Sequence, residues 1–422
     1  MMPLTIEQVE QSIGEVYLLK DKGIIRLLLA SVIGNRISIS DKPIWLLILA
    51  GSSSGKTAVL QLLDKCGKWI VPIDTLTTNT FASGLKRDEE VSLLFQANNG
   101  ILVFKDFTTI TSMNEEGLRE IMGQFRAIYD GSFNKKTGNG LNIDWKGKIG
   151  IIAGGTIASQ RKMRQFSEQG ERFINYILDV ADAKEITKRA MNNQKNLREK
   201  EDNLADIVAD FIKNKINQSI ENELVIPSAI QDSMIDVADF ATQARSPVTM
   251  NKKDNAVVDF VGDREMPPRM AMMLTNIAMS LMIISDEEEL SAFNAQILYK
   301  TALDSIPAER RLVLRVLAKY RSASTRSIAQ YLNYPTQTVR GWCNQLNALK
   351  MTERTSNPAK KNEDSWVLKA DYKDTMLMYE NIESLDEVLQ NNGDEDSEDN
   401  AYIDDEQLYA DELENFDWGA MK

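Results

Sequence analysis

Apolar residues return at helical spacing through the first 43 positions, at Val9, Ile13, Val16 and Tyr17 and again at Ile24, Ile25, Leu27 and Leu28. The period then changes. Asp41-Lys42-Pro43 breaks the pattern, residues 44–49 form an unbroken apolar run of strand character, and a helical stretch follows over 58–63. Further apolar runs at 69–73, 100–104, 148–156 and 174–180 predict strands. Between them, Leu118, Ile121, Met122, Phe125 and Tyr129 mark one face of a helix, and residues 130–145 read as a β-hairpin with its tip near Thr137-Gly138-Asn139-Gly140. Strands alternating with helices predict an α/β fold here.

Beyond residue 183 the pattern is helical. Residues 184–222 are polar, with apolar returns at Leu204, Ile207, Val208, Phe211 and Ile212, and residues 231–244 form an amphipathic helix. Pro267-Pro268-Arg269 opens a helix over 270–284, where Met270, Met272, Met273, Met279 and Met282 read as adaptable core packing rather than a cofactor site. Three more helices follow at 308–318, 325–332 (capped by Ser324 or Thr325) and 336–349, with Asn333-Tyr334-Pro335 as the turn before the last. Apolar-polar runs at 351–355 and 365–368 then bracket the basic stretch 356–362. Helix, helix-turn-helix and a two-stranded wing make a small α+β domain that looks like a winged helix-turn-helix. After Tyr379 the chain is rich in Asp, Glu and Asn and is expected to be disordered.

Charge is unevenly spread. The formal net charge is −13, but residues 381–422 hold 15 acids and one base, Lys422, leaving 47 acids against 48 bases in the first 380 residues. An acidic tail on a neutral body leaves nucleic acid open as a partner, despite the acidic isoelectric point. The chain has no histidine, which removes imidazole acid–base chemistry and the commonest metal ligand. Cys66 and Cys343 are too few for a disulfide framework or zinc cluster, as fits a reducing cytoplasm. No stretch approaches about 18 consecutive apolar residues, and no basic-then-apolar leader opens the chain, so no membrane association is expected.

The candidate chemistry starts where the first apolar run ends. Ala50-Gly51-Ser52-Ser53-Ser54-Gly55-Lys56-Thr57 lies between strand and helix, the order of a phosphate-binding P-loop with alanine in place of the first glycine. Gly51 and Gly55 let backbone N–H groups turn onto phosphate, Lys56 reaches the β- and γ-phosphates of ATP, and Thr57 holds Mg²⁺. About 50 residues later the run 101–104 leads to Asp106, a Walker B pattern that places a carboxylate in the Mg²⁺ shell. Phe107 stands where many such ATPases have glutamate, so the group that polarises water is open among Glu89, Glu90 and Glu120. In the last helix, Val339, Trp342 and Leu346 are expected to face inward, presenting Thr336, Gln337, Arg340 and Asn344 to a DNA major groove, while Lys360 and Lys361 on the wing meet phosphate.

These pieces in this order resemble an AAA+ ATPase, and more narrowly the subgroup, including MCM and viral replicative helicases, with a hairpin before the sensor 1 strand. Within it the chain looks most like P-loop proteins of phages, plasmids and integrative elements. The phrases that carry the resemblance are the Ser-Ser-Ser-Gly-Lys-Thr loop, Lys105-Asp106-Phe107-Thr108, Ile128-Tyr129-Asp130-Gly131 and Gly170-Glu171-Arg172-Phe173, and it extends over roughly residues 40–320. It implies that Thr156 is the sensor 1 residue, Arg172 an arginine finger reaching a neighbour's γ-phosphate, Arg269 the sensor 2 arginine, and Lys135 and Lys136 DNA contacts near the hairpin tip. It also implies a homo-oligomeric ring, such as a hexamer.

The expected organisation is an accessory helical segment at 1–43, an AAA+ nucleotide-binding core at 44–182, a helical linker and lid at 183–304, a winged helix-turn-helix at 305–380 and a disordered acidic tail at 381–422. The expected function is Mg²⁺-dependent ATP hydrolysis on DNA, as a helicase or helicase loader in replication of a mobile element. The alternative is a nucleotide-gated DNA-binding regulator or partition-like switch that does not translocate. The tail, with aromatic and leucine residues among acids over 404–418, is read either as a docking peptide for a protein partner or as a competitor with DNA for basic surfaces.

Overall fold

The computed structural model describes residues 3–37, 40–51, 54–81, 92–136, 142–164, 171–178, 183–218, 226, 228–251, 253–254, 256–320, 322–356, 364–372 and 375. Ser52, Ser53, Glu89, Glu90, Lys360, Lys361, the 137–140 tip and the acidic tail lie outside the described residues. The chain is a mixed α/β protein that divides into two compact units, residues 1–235 with 268–305, and residues 236–267 with those from Ile306 onward. The division falls inside the helix Ser228–Arg245, so the stretch 183–304, expected as one linking and lid region, contributes to both units.

The first unit is built on a parallel sheet of five strands, β1 (Trp45–Leu49), β2 (Ile70–Ile73), β3 (Ile101–Phe104), β6 (Gly150–Gly155) and β7 (Ile174–Ile177), in the order β2-β3-β6-β1-β7. β4 (Ser132–Lys136) and β5 (Asn142–Lys146) form the expected hairpin before β6. Strands β1, β3 and β6 are buried along their whole length, which is why they read as continuous apolar runs rather than alternating ones. The helix Glu115–Tyr129, capped by the Asn114 side chain, lays Phe125 and Tyr129 against Trp45.

The N-terminal segment is more central than an accessory. Helix Gly23–Arg36 is buried on nearly every face and packs beside helix Pro268–Ser285. Its Asn35 amide clamps the chain just before β1, accepting from the Ile44 amide (2.8 Å) and donating to the Ile44 carbonyl (3.0 Å). Gly150 at the start of β6 permits this approach, since a Cβ there would sit 2.5 Å from the Asn35 side chain. Helix Ile6–Val16 is tied back through Glu7 and Glu10 to the buried Arg26.

Helix Pro268–Ser285 has the length and mean hydropathy of a membrane span. More than half of it is buried inside the fold, including Met270, Met273 and Met282. Its apolar character is that of a core helix, although Met272 is exposed.

The sheet edge at β7 is covered by helix Ala292–Asp304. Asp304 accepts the Ile177 amide (2.8 Å), Ser305 accepts the Asn175 amide (3.0 Å), and Lys300 donates to both the Ile177 carbonyl and Asp304 (2.8 Å each). Side chains thus satisfy backbone groups that would otherwise present an open edge.

The second unit holds helices Ala308–Lys319, Thr325–Tyr331 and Thr336–Ala348. They pack on a three-stranded antiparallel sheet ordered β10 (Ser322–Ser324), β12 (Asp364–Leu368), β11 (Thr352–Ser356). Ser324 caps the middle helix, as expected, and also ends β10, a strand too short to register in the sequence pattern. Buried Arg310 ties the unit together by donating to the Gln345 side chain and to the carbonyls of Ala244 and Ser246. A second hairpin, β8 (Val248–Met250) with β9 (Val258–Val261), lies against helix Thr336–Ala348. This hairpin is not among the elements that the hydrophobic pattern predicts.

Candidate functional site

The strand order decides which motifs meet. β6 lies between β1 and β3, so the loops leaving β1, β6 and β3 emerge side by side at the carboxyl edge of the sheet. The Ala50 amide donates to the Gly155 carbonyl (3.2 Å) and the Phe107 amide to the Gly154 carbonyl (2.7 Å), fixing the 50–57 loop and the Asp106 loop to the same end of β6. Lys56, Thr57, Asp106 and Thr156 therefore share one edge, the crevice where open α/β sheets bind ligands.

Within the loop, Gly55 takes a left-handed φ of +90° immediately before helix Lys56–Gln61, a conformation that favours glycine. No atom lies within 4 Å of where a Cβ at Gly51 or Gly55 would stand, so the loop faces open space. Lys56 folds back over it, donating to the carbonyls of Ala50 (2.8 Å) and Gly51 and to Ser54 Oγ (3.4 Å). Partial burial draws the Lys56 ammonium below its ordinary pKa, opposed by the nearby Asp106 carboxylate. Thr57 is exposed. Asp106 is also exposed, and its Oδ1 accepts from the Thr108 amide (2.9 Å) and hydroxyl (2.6 Å), which orients the carboxylate. Thr156 is the N-cap of helix Ile157–Met163, its hydroxyl accepting from the Ser159 amide at 3.2 Å.

These groups fit a nucleotide with magnesium. The loop offers an ammonium and open backbone to phosphate, and Thr57 and Asp106 offer oxygen ligands. Among the described residues no cluster of three or more Asp, Glu or Cys could cage a metal. Mg²⁺ does not require one, since it binds through one or two protein oxygens plus phosphate and water.

Phe107 is fully buried in an aromatic cluster with Phe104, Phe125 and Phe173. The position after Asp106 thus serves the core, which accounts for the absence of glutamate there. Of the proposed substitutes, Glu120 is engaged on helix Glu115–Tyr129, accepting from Gln124 (3.2 Å) and facing Lys135 Nζ (3.9 Å).

Arg172 and Arg269 are not part of this edge. Leu46 pairs with Ile174 in the parallel register, so Arg172 precedes β7 at the amino end of the sheet. At a rise of about 3.3 Å per strand residue, that end is roughly 20 Å from the loop at Ala50. Arg269 is beside it, donating to the Glu171 carbonyl (3.1 Å). Arg172 faces Asp130 at 3.7 Å with its side chain 11% exposed, and burial together with Arg269 pulls its guanidinium below the ordinary value against Asp130. Neither arginine can touch a phosphate held by Lys56 of the same chain.

In the second unit, helix Thr336–Ala348 exposes Thr336 and Gln337, with Arg340 and Asn344 half-buried. Its inward face differs from expectation. Val339 and Leu346 are buried with Cys343, whereas Trp342 is only half-buried and packs edge-on against the exposed Tyr334 ring at 4.8 Å. Gln337 Nε2 donates to Asp254 Oδ1 (3.2 Å) and Asn344 Nδ2 to the Ala256 carbonyl (2.6 Å), both partners from the β8–β9 hairpin. The β-branched and aromatic runs 248–250 and 257–261, flanking Asn251 and Asp254, were the available signal for that hairpin. In the first unit, Lys136 on β4 is exposed, while Lys135 is half-buried and contacts Asn79 (3.4 Å).

No protein-family model matches the chain, and no curated protein matches it.

Proposed function

We propose that this chain is a Mg²⁺-dependent ATPase of the AAA+ type that acts on DNA, as a helicase or helicase loader. The observation that carries the reading is the convergence of Lys56, Thr57, Asp106 and Thr156 on one carboxyl edge, with the Lys56 ammonium resting on the loop's own carbonyls. With nucleotide bound, Lys56 would exchange those carbonyls for phosphate oxygens, and Thr57 and Asp106 would hold Mg²⁺, which would supply positive charge beside the phosphate. Arg172 and Arg269, grouped at the far end of the sheet, act on nucleotide held by a neighbouring copy, in keeping with a ring. The three-helix unit, read as a winged helix-turn-helix, supplies the DNA contacts.

One observation favours a second reading. With Phe107 buried in the core, the position following Asp106 brings no carboxylate to the attacking water. Slow turnover would suit a nucleotide-gated DNA-binding switch rather than a motor.

ATP hydrolysis measured alone, with single-stranded DNA and with duplex separates the two. Hydrolysis stimulated by DNA and coupled to strand separation supports the motor; nucleotide-dependent DNA affinity with slow turnover supports the switch. Lys56→Ala is expected to lower hydrolysis by roughly 100-fold or more, the usual loss when a charge-stabilising donor is removed. Undiminished hydrolysis in that variant refutes both readings.

A further inference from the structure

Two polar side chains of helix Thr336–Ala348, Gln337 and Asn344, are already engaged. The β8–β9 hairpin crosses them, and its two acceptors, the Asp254 carboxylate and the Ala256 carbonyl, take hydrogen bonds from Gln337 and Asn344. A phosphate or a base edge offers donors the same kind of oxygen. An amide side chain that recognises adenine uses its N–H and its carbonyl together, so committing the N–H groups to the hairpin costs the paired contact.

The way the hairpin is held suits a removable cover. Its base is firm: the Gly262 amide donates to the Pro247 carbonyl (2.9 Å), and Arg245 pairs through two nitrogens with Glu265, both side chains largely buried. Its tip is self-contained. Asn251 Oδ1 accepts the amides of Lys253 and Asp254, Asp254 Oδ1 accepts the Ala256 amide, and the Asn251 amide donates to the Val257 carbonyl. None of these bonds involves the helix, so they survive when the loop leaves it. Little apolar burial keeps it there: among the described residues of the hairpin only Ala256 is buried, while Val257, Phe260 and Val261 remain 48%, 58% and 39% exposed. A segment with few buried apolar contacts opens at low free-energy cost.

We propose that the β8–β9 hairpin is an internal competitor for the DNA-reading face of helix Thr336–Ala348, occupying Gln337 and Asn344 until nucleic acid displaces it. The inference rests on the DNA-binding reading of this helix. It adds that the chain as folded binds DNA below its intrinsic capacity, and that anything moving the hairpin raises DNA affinity.

The test uses the full chain, a labelled short duplex and a labelled single strand of mixed sequence, with anisotropy at fixed salt. One variant replaces residues 251–257 with Asn-Gly, a two-residue hairpin turn; the other is Asp254→Ala. Thermal melts show that each is folded. The shortened hairpin is expected to bind about tenfold tighter, as release of one hydrogen bond to a carboxylate and one to a neutral carbonyl allows, and Asp254→Ala about threefold tighter. Adding Gln337→Ala to the shortened form should cancel most of the gain. Unchanged or weaker binding in folded variants overturns the competitor while leaving the DNA reading intact, and weaker binding would make the hairpin a support for the helix. Absence of binding by the wild type and both variants, to either DNA, overturns the DNA reading and this inference with it.

Discussion

Asp106 is the residue on which binding and turnover should separate. Its carboxylate is oriented by Thr108 and lies near Lys56, yet among the described residues it makes no hydrogen bond to the 50–57 loop, whose lysine rests on backbone carbonyls instead. Asp106→Asn keeps the acceptor for Thr108 and removes the charge. It is expected to leave ATP binding within a few-fold of the wild type while lowering hydrolysis by about 10- to 100-fold, the usual cost of disturbing a metal shell. Equilibrium binding of a fluorescent ATP analogue beside a phosphate-release assay checks both, and wild-type turnover would remove Asp106 from the site. Phe107 carries the complementary lesson. Sequence marks it only as a departure from a pattern, and its burial against Phe104, Phe125 and Phe173 supplies the reason.

At the scale of elements, the β7 edge depends on one buried cluster. Asp304 is fully buried, accepts from the Ile177 amide and from Lys300, and Lys300 in turn serves the Ile177 carbonyl while lying over the Tyr176 ring. Removing one partner of a buried pair leaves an uncompensated charge and an unpaired backbone amide. Asp304→Ala is expected to destabilise the protein by about 3–5 kcal/mol, measured as a lower urea midpoint. A midpoint shift equivalent to less than about 1 kcal/mol would mean that water or a neighbouring group takes over the Asp304 contacts. The same cluster explains why residues 292–305 belong with the sheet in the first unit rather than with the helices that follow them.

At the scale of the whole molecule, the placement of Arg172 and Arg269 makes the sharpest demand. A strand's length separates them from the same chain's Lys56, so a role in hydrolysis requires a neighbouring copy. Arg172→Ala is expected to bind ATP normally and to lose about 1000-fold or more in turnover, the usual worth of an arginine finger. Mixing it with Lys56→Ala should restore part of the activity, because some interfaces then pair an intact loop with an intact arginine. No recovery at any ratio, with mixed assembly shown by crosslinking, would confine Arg172 to holding Asp130 and the start of β7.

Local periodicity was enough to locate the strands ending at the 50–57 loop and at Asp106, the hairpin before β6 and the three helices of the second unit. Each is an element whose hydrophobic spacing or glycine chemistry is set by neighbours within a few residues. The order of strands in a sheet is a long-range matter. Only the tertiary structure decided that β6 lies between β1 and β3, which gathers Lys56, Asp106 and Thr156 on one edge and leaves Arg172 and Arg269 on the other. Burial is likewise shared between distant segments. Pairing with helix Pro268–Ser285 makes Gly23–Arg36 a core element, and the short β8–β9 strands, too brief for a clear period, acquire their place by packing on helix Thr336–Ala348.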